Sequence, residues 1–277
     1  MSPEAKRSFG FPKAFINLPD LRMIIKRGVL VLSINSSTNT EELLSLARSR
    51  GAAVAGVARL SLLHDLPVCG GLSLRDFEYA ISIGVPLPNI AVDLIDLEDP
   101  GIMYAHAYHA ANSLIDAITL GLSGWISERG FSALVIPASL KADPSKEMGH
   151  ASHKAFACAA GVGWIGRNGL LINPICGPRI RLGTVLTDMP LNPGTPMENR
   201  CGQCRRCVDS CPSGALKLSN FKLRPATRDE IFDPQKCVSR LNKFKETFLK
   251  RPHTAAYAAT VCGMCIKACP IGKQRRA

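Results

Sequence analysis

Cysteine spacing constrains this chain more than any other feature. Cys201-Gly-Gln-Cys204-Arg-Arg-Cys207-Val-Asp-Ser-Cys211-Pro212 reads C-x2-C-x2-C-x3-C-P, and Cys262-Gly-Met-Cys265-Ile-Lys-Ala-Cys269-Pro270 repeats its last three cysteines. This is the iron–sulfur spacing of ferredoxins, in which the fourth cysteine of a motif ligates the other cluster of a pair. Four thiolates and three cannot fill two four-thiolate sites, and Cys237, alone between the motifs, is the natural eighth. The ferredoxin crossover then groups Cys201, Cys204, Cys207 and Cys269 on one cluster, and Cys211, Cys237, Cys262 and Cys265 on the other. A zinc ribbon would use paired C-x2-C without a third cysteine. A disulfide framework would need an oxidising compartment. Two [4Fe–4S] clusters are the expectation.

Charge follows the cysteines. Residues 1–199 hold equal numbers of basic and acidic side chains, so the whole formal excess of +12 falls in residues 200–277. The Pro- and Gly-containing stretch LNPGTPMENR lies at the change. The expected organisation is an N-terminal extension over 1–30, an α/β body over 31–195 and a ferredoxin-like double-cluster module over 196–277. A basic face of this kind fits an acidic electron donor such as a ferredoxin or flavodoxin, or a nucleic-acid backbone. With 46% hydrophobic and 20% charged residues the chain buries a core and is not a disordered polyelectrolyte. No apolar run reaches the roughly 20 residues that span a bilayer, and the N-terminus lacks the apolar core of a signal peptide. The expected setting is cytoplasmic, without a membrane.

In the body, Thr38-Asn39-Thr40-Glu41 reads as a capping box opening a helix that stops at Gly51. AAVAGVARL and FEYAISIGVPL read as strands. Apolar residues at helical spacing (Leu114, Ile118, Leu122, Trp125) mark a long helix over about 104–129. FSALVIPAS then reads as a strand, GHASHKAFACAAG as a short helix, and RIRLGTVLTDMPL as a strand whose alternation breaks at Gly183. The fold class expected is α/β (α+β). Gly161-Val-Gly163-Trp-Ile-Gly166 has dinucleotide-fingerprint spacing but follows a helix, not a strand, so its glycines serve close backbone approach to a ligand or a packed neighbour instead. His150 and His153, three apart, could share a helix face as metal ligands, yet no third ligand is near. Cys158 and Cys176 read as small core residues, and Cys176 is the stronger functional candidate of the two.

The run AAGVGWIGRNGLLIN, then GPRIRLGTVLTDMPL, then the cysteine motifs with Cys237 between them, resembles the epoxyqueuosine reductases and the related cobalamin-dependent reductive dehalogenases. EELLSLARSRGAAVAGVARL and MYAHAYHAANSLIDAI are similar to the first helix and the Tyr–His helix of that group, so the resemblance spans about residues 40–270. It implies a nitroreductase-like α/β body that holds cobalamin beside a ferredoxin module that reduces it. It further implies cofactor contacts at Gly163, Trp164, Ile165, Gly166, Asn168, Asn173, Thr187 and Ser239, and catalysis by Tyr108 and His109, with Tyr104 and His106 as further acids. One departure stands out. The epoxyqueuosine reductases carry an aspartate proton donor in a V-D-S-A-P-like run, and here Val135-Ile136-Pro137-Ala138-Ser139 puts Ile136 in its place. A small molecule, or a corrinoid on another protein, is therefore the expected substrate ahead of tRNA.

Overall fold

The structure, a computed structural model, describes residues 22–26, 29–33, 36–250 and 261–273. The chain divides into two compact units, Met1–Asn35 and Ser36–Ala277. In the first, β1 (Arg22–Lys26) and β2 (Val29–Ser33) form an antiparallel hairpin. It crosses the boundary expected at residue 30. Its signal is present in the sequence as two β-branched runs separated by two residues.

Within the second unit, α1 (Ser36–Ser49) begins two residues before the expected capping box and is followed by Gly51, whose φ of +110° only glycine adopts easily. β3 (Val54–Arg59), β4 (Tyr79–Pro86), β5 (Ala133–Ile136) and β8 (Ile180–Thr187) form one sheet in the order β3-β4-β8-β5. Every neighbouring pair in it is antiparallel, so the mixed α/β body is of the α+β kind.

The sheet is covered on both faces. Tyr79, Ile81, Ile83 and Val85 of β4 point to the side of α1 and of α3 (Ile102–Ser127), with Leu43, Ile115, Ile118 and Leu122. The opposite positions of β4 are small (Ala80, Ser82, Gly84) and face the side of α4 (His153–Ala159), where Phe156 is fully buried. Burial on both faces explains why β4 reads as a continuous apolar run. Gly183, the break in alternation, lies where α3 crosses β8, and a methyl group there would meet Ile115 and Thr119. Ile136 is buried among apolar side chains at the end of β5, opposite Thr184.

After α2 (Asn89–Asp93) and the sheet, β6 (Trp164–Ile165) and β7 (Leu171–Ile172) make a tight hairpin. The cysteine-rich stretch carries α5 (Arg206–Asp209), α6 (Pro234–Lys250) and α7 (Met264–Ala268). Ser36–Ala277 form one compact unit across the charge boundary near residue 200. Arg167, 6% exposed, donates to the carbonyls of Ser219 (3.1 Å) and Gly202 (2.8 Å) and to Asn220 Oδ1 (2.7 Å). Asn199 Nδ2 donates to Ile165 O, and Arg224 pairs with Asp65.

Candidate redox site

The cysteines fall into two electrostatic groups. Burial pushes the Cys207 thiol up to about 11, and the neighbouring Cys201, Cys269 and Cys204 thiolates push the same way. Cys269 is likewise raised by burial and then by Cys201 and Cys204. In the other group, burial and then Cys262 and Cys211 push Cys237 up to about 11. Cys265 is raised by burial, then by Cys262 and Cys237, with smaller effects of Cys207 and Cys211. Thiols packed in this way repel one another as thiolates, and a cationic iron core between them removes that repulsion and deprotonates them.

Short loops also aim backbone N–H groups at sulfur. Cys211 is desolvated, but hydrogen bonds from the Ser213 hydroxyl and the backbone N–H groups of Leu216, Ala215 and Ser213 outweigh this and lower its pKa. Cys262 and Cys269 receive the N–H groups of Met264 and Ile271.

A cavity of about 220 Å³ lies at the second group, whose four cysteines face it, so a cluster on those cysteines would occupy part of this space. Cys211, Cys237, Cys262 and Cys265 line it from the basic stretch, and Tyr104, Tyr108, Lys154, Asn168 and Arg181 line it from the body. Tyr104 and Tyr108 are one helical turn apart and share a face of α3. Tyr104 is buried, and desolvation raises its hydroxyl pKa. The Arg181 guanidinium lies 4.0 Å from the Tyr108 ring centre, and the Tyr108 hydroxyl is 3.2 Å from Ser139 Oγ. Burial, and then Arg228 and Arg181, bring Lys154 down to about 8, while its ammonium donates to Gly169 O.

The family resemblance pairs His109 with Tyr108 in catalysis. His109 is exposed and does not line the cavity, because the next residue on a helix points about 100° away. His106 is exposed for the same reason.

Of the eight residues expected to touch a body cofactor, only Asn168 lines the cavity; its Nδ2 is 3.5 Å from Cys265 O. Gly163 and Gly166 are required by packing, since a methyl group at either would strike Ile172 of β7. Trp164 and Ile165 are buried beside the same hairpin. Asn173 donates to Val162 O and accepts the N–H groups of Ile175 and Cys176, and Thr187 donates to Ser132 O and accepts from Met189 N. Ser239 is exposed on α6.

His153 is not half of a metal pair. Pro137 O can only accept, so His153 Nε2 (3.2 Å away) carries the proton and Nδ1 accepts from Thr184 Oγ1 at 2.8 Å. Burial brings its pKa down to about 4 and keeps it neutral. Cys158 is buried with its thiol on Met197 O, and Cys176 lies away from the cavity.

Lys154, Arg181, Arg228 and Arg240 carry no signal in the sequence that would single them out. They are brought to the cavity by α4, β8, a loop and α6, and no local spacing links them.

Comparison with known proteins gives this arrangement a family setting. Residues 200–272 match the 4Fe-4S double cluster binding domain. The cysteine-rich stretch is an iron–sulfur domain. An epoxyqueuosine reductase of Listeria monocytogenes is 34% identical over 131 residues, covering 46% of this chain and 31% of the relative. Another, of Lactococcus garvieae, is 26% identical over 213 residues, covering 73% and 54%. The Listeria match thus spans about a third of that relative. Among solved structures, the catabolic reductive dehalogenase NpRdhA in complex with 3-bromo-4-hydroxybenzoic acid superposes with a TM-score of 0.67. That match has 21% identity over 92% of this chain and 34% of the other. The epoxyqueuosine reductase of Bacillus subtilis gives 0.53 at 19% identity, over 84% and 65%. At these identities the structural likeness is one of fold. Among the described residues no helix is long and apolar enough to cross a membrane.

Proposed function

We propose that this protein is an iron–sulfur oxidoreductase that carries electrons one at a time through two [4Fe–4S] clusters towards the Tyr104–Tyr108 face of α3, which borders the second. The observation that carries the reading is the shared lining: four cysteines of one group and the Tyr104–Tyr108 face of α3 border the same space. Cys201, Cys204, Cys207 and Cys269 hold the entry cluster, and Cys211, Cys237, Cys262 and Cys265 hold the cluster at the cavity. A low-potential donor of the ferredoxin or flavodoxin class supplies the electrons at the basic surface.

The chain's own residues handle the proton. A two-electron reduction takes up two electrons, one per passage through the clusters, and protons to match. Tyr108 is the donor of one of these protons, as an aromatic hydroxyl in the lining of the cavity with a cation on its ring. Arg181 holds that ring in place and stabilises the phenolate left behind. Ile136, buried and apolar, cannot take this role, which disfavours epoxide opening on a tRNA nucleoside.

The resemblance to cobalamin enzymes would place a corrinoid in the body. The residues present do not fit one. Gly163 and Gly166 are committed to close packing on Ile172, and Asn173 and Thr187 to hydrogen bonds within the body. The same observation favours a second reading, in which the corrinoid belongs to a partner protein that this one reduces.

Anaerobically prepared protein tests these readings. We expect about eight irons and eight sulfides per chain, bleaching by dithionite, and no cobalt uptake when cobalamin is supplied. Iron near zero after reconstitution would overturn the proposal, and stoichiometric cobalt would overturn the small-molecule form of it. Tyr108→Phe should slow reduction of a cavity substrate roughly 10²–10⁴-fold without loss of iron.

A further inference from the structure

Among the described residues, Trp164 Nε1, Arg167 Nε, Arg179 Nε and Arg240 Nε are buried N–H groups with no hydrogen-bond partner in the protein. All four lie at the cysteine groups. The Arg167 guanidinium donates to Gly202 O inside the Cys201–Cys204 loop. Arg179 N–H closes a turn on Cys176 O, and Gly177 in that turn lies so close to Ile271 O, two residues after Cys269, that a methyl group would strike it. Arg240 lines the same space as Cys237 and Cys262, and Trp164 packs with Cys269 and Cys201. His150 Nδ1 is unpartnered too, but an imidazole nitrogen need not carry a proton. A buried donor without an acceptor is costly to keep, and these donors sit where the sulfurs of a bound cluster would accept.

The arginines differ from the tryptophan in what else they bond. Arg167 spends its terminal nitrogens on Ser219 O, Gly202 O and Asn220, and Arg179 spends its own on Asn89 and Asp93. Arg240 donates to Leu97 O. Each of these Nε groups is the remainder of a guanidinium anchored elsewhere. An indole has a single donor, and a buried tryptophan usually pairs it. Trp164 is 3% exposed, so bulk water does not satisfy it. Its ring stands on β6, where Ile172, Met197 and Ile271 pack on it together with Cys201 and Cys269. The side chains around it are thus aliphatic or sulfur-bearing. Gly163 and Gly166 flank it and let the hairpin close on Ile172, and the Arg200 guanidinium lies 5.9 Å from the ring centre. Packing therefore fixes the ring against the first cysteine group.

We infer that Trp164 donates its indole N–H to a sulfur of the cluster held by Cys201, Cys204, Cys207 and Cys269, and so raises the reduction potential of that cluster. The acceptor is a ligand thiolate or an inorganic sulfide. On four thiolates an oxidised [4Fe–4S] cluster carries about 2−, and the reduced cluster about 3−. A hydrogen bond strengthens with the charge on its acceptor, so this one favours the reduced form, and hydrogen bonds to sulfur are among the levers that set cluster potentials. The cluster takes up one electron from the ferredoxin- or flavodoxin-class donor, and the indole keeps its proton throughout. Trp125, the other tryptophan of the chain, lies on α3 with the Arg129 guanidinium over its ring. This inference rests on the reading that the first four cysteines hold the entry cluster, and it names a residue that tunes it.

The test uses the iron-loaded full chain and Trp164→Phe, which keeps an aromatic ring and removes the N–H. Both proteins are titrated anaerobically against electrode potential, with the reduced clusters read by electron paramagnetic resonance. We expect one of the two midpoints to fall in the variant, leaving about tenfold less of that cluster reduced at a given potential, or about 59 mV for one electron. The other midpoint and the iron content should not change. In Cys237→Ala protein, which keeps the first cluster, adding Trp164→Phe should give the same fall. A second measurement needs no change of fold: with tryptophan carrying ¹⁵N in its indole, pulsed resonance should show nitrogen coupling on one cluster signal. Trp125→Phe should leave that coupling in place. Two unchanged midpoints, or cluster signals without indole nitrogen coupling, would overturn the inference. Iron and sulfide assays on the same samples separate this from failure of the functional reading, because that failure appears as missing clusters.

Discussion

The two cysteine groups arise from one repeated motif yet have different surroundings. Cys201 and Cys269 pack against the β6–β7 hairpin, with Trp164, Ile172 and Met197. The second group opens on a cavity walled by tyrosines and cations of the body. The ligand loops match except that Cys237 of α6 stands in for the cysteine the second motif lacks, and that exchange does not by itself set the difference. It comes from what the rest of the fold lays beside them: a closed hairpin in one case, and the Tyr104–Tyr108 face of α3 in the other. On the proposed function, equal cluster chemistry in unequal surroundings makes an electron relay of one end and a reaction space of the other.

That contrast can be broken in several ways, beginning with the ligands. Cys237→Ala should halve the iron, from about eight to about four per chain. Cys201→Ala should halve it too, and the two variants should retain different cluster signals. An unchanged iron content in either variant would refute the assignment of that cysteine.

A smaller effect is expected from the strut behind the first group. Arg167 is buried and its guanidinium satisfies Gly202 O, within the Cys201–Cys204 loop, as well as Ser219 and Asn220. Arg167→Gln should cost about 1.5–3 kcal/mol in anaerobic denaturant melts. It should release iron from the first group ahead of the second. Loss of both clusters together would show that the two are not held independently.

The smallest effect is one of pH. His153 sits between Thr184 and Pro137 with a pKa near 4, against about 6.5 when unfolded. Its folded pKa is depressed, so below 6.5 the unfolded chain takes up the proton and the folded chain does not. Stability should therefore fall as pH drops from 6.5 towards 4, by about 2 kcal/mol between pH 6.5 and 5. His153→Gln removes this dependence while leaving any acid lability of the clusters, so equal slopes in the two proteins would refute it.

Much of the molecule is legible in the chain alone. Cysteine spacing determines the iron–sulfur content, because ligation of a cubane is a local property of short loops. Apolar periodicity and turn residues locate α1, α3, α4 and the four sheet strands, and the charge count locates the basic stretch. Gly183 shows as a break in alternation, and the close approach of α3 explains it. The Gly163–Gly166 spacing marks a close approach too, although its partner is the neighbouring strand and not a cofactor.

Tertiary structure alone decided the site. The antiparallel order β3-β4-β8-β5 brings Arg181 of β8 over Tyr108 of α3, 73 residues away in sequence. Lys154, Arg228 and Arg240 converge from three other segments. Their meeting depends on chain path, and no periodicity or motif encodes it. Helix rotation likewise turns His109 out to solvent while Tyr108 lines the cavity, although the two rings still meet edge to face at 6.0 Å. The sequence by itself determined the metal chemistry, which is local. What shares a cavity with that metal, and with what charge, is a long-range property that only folding settles.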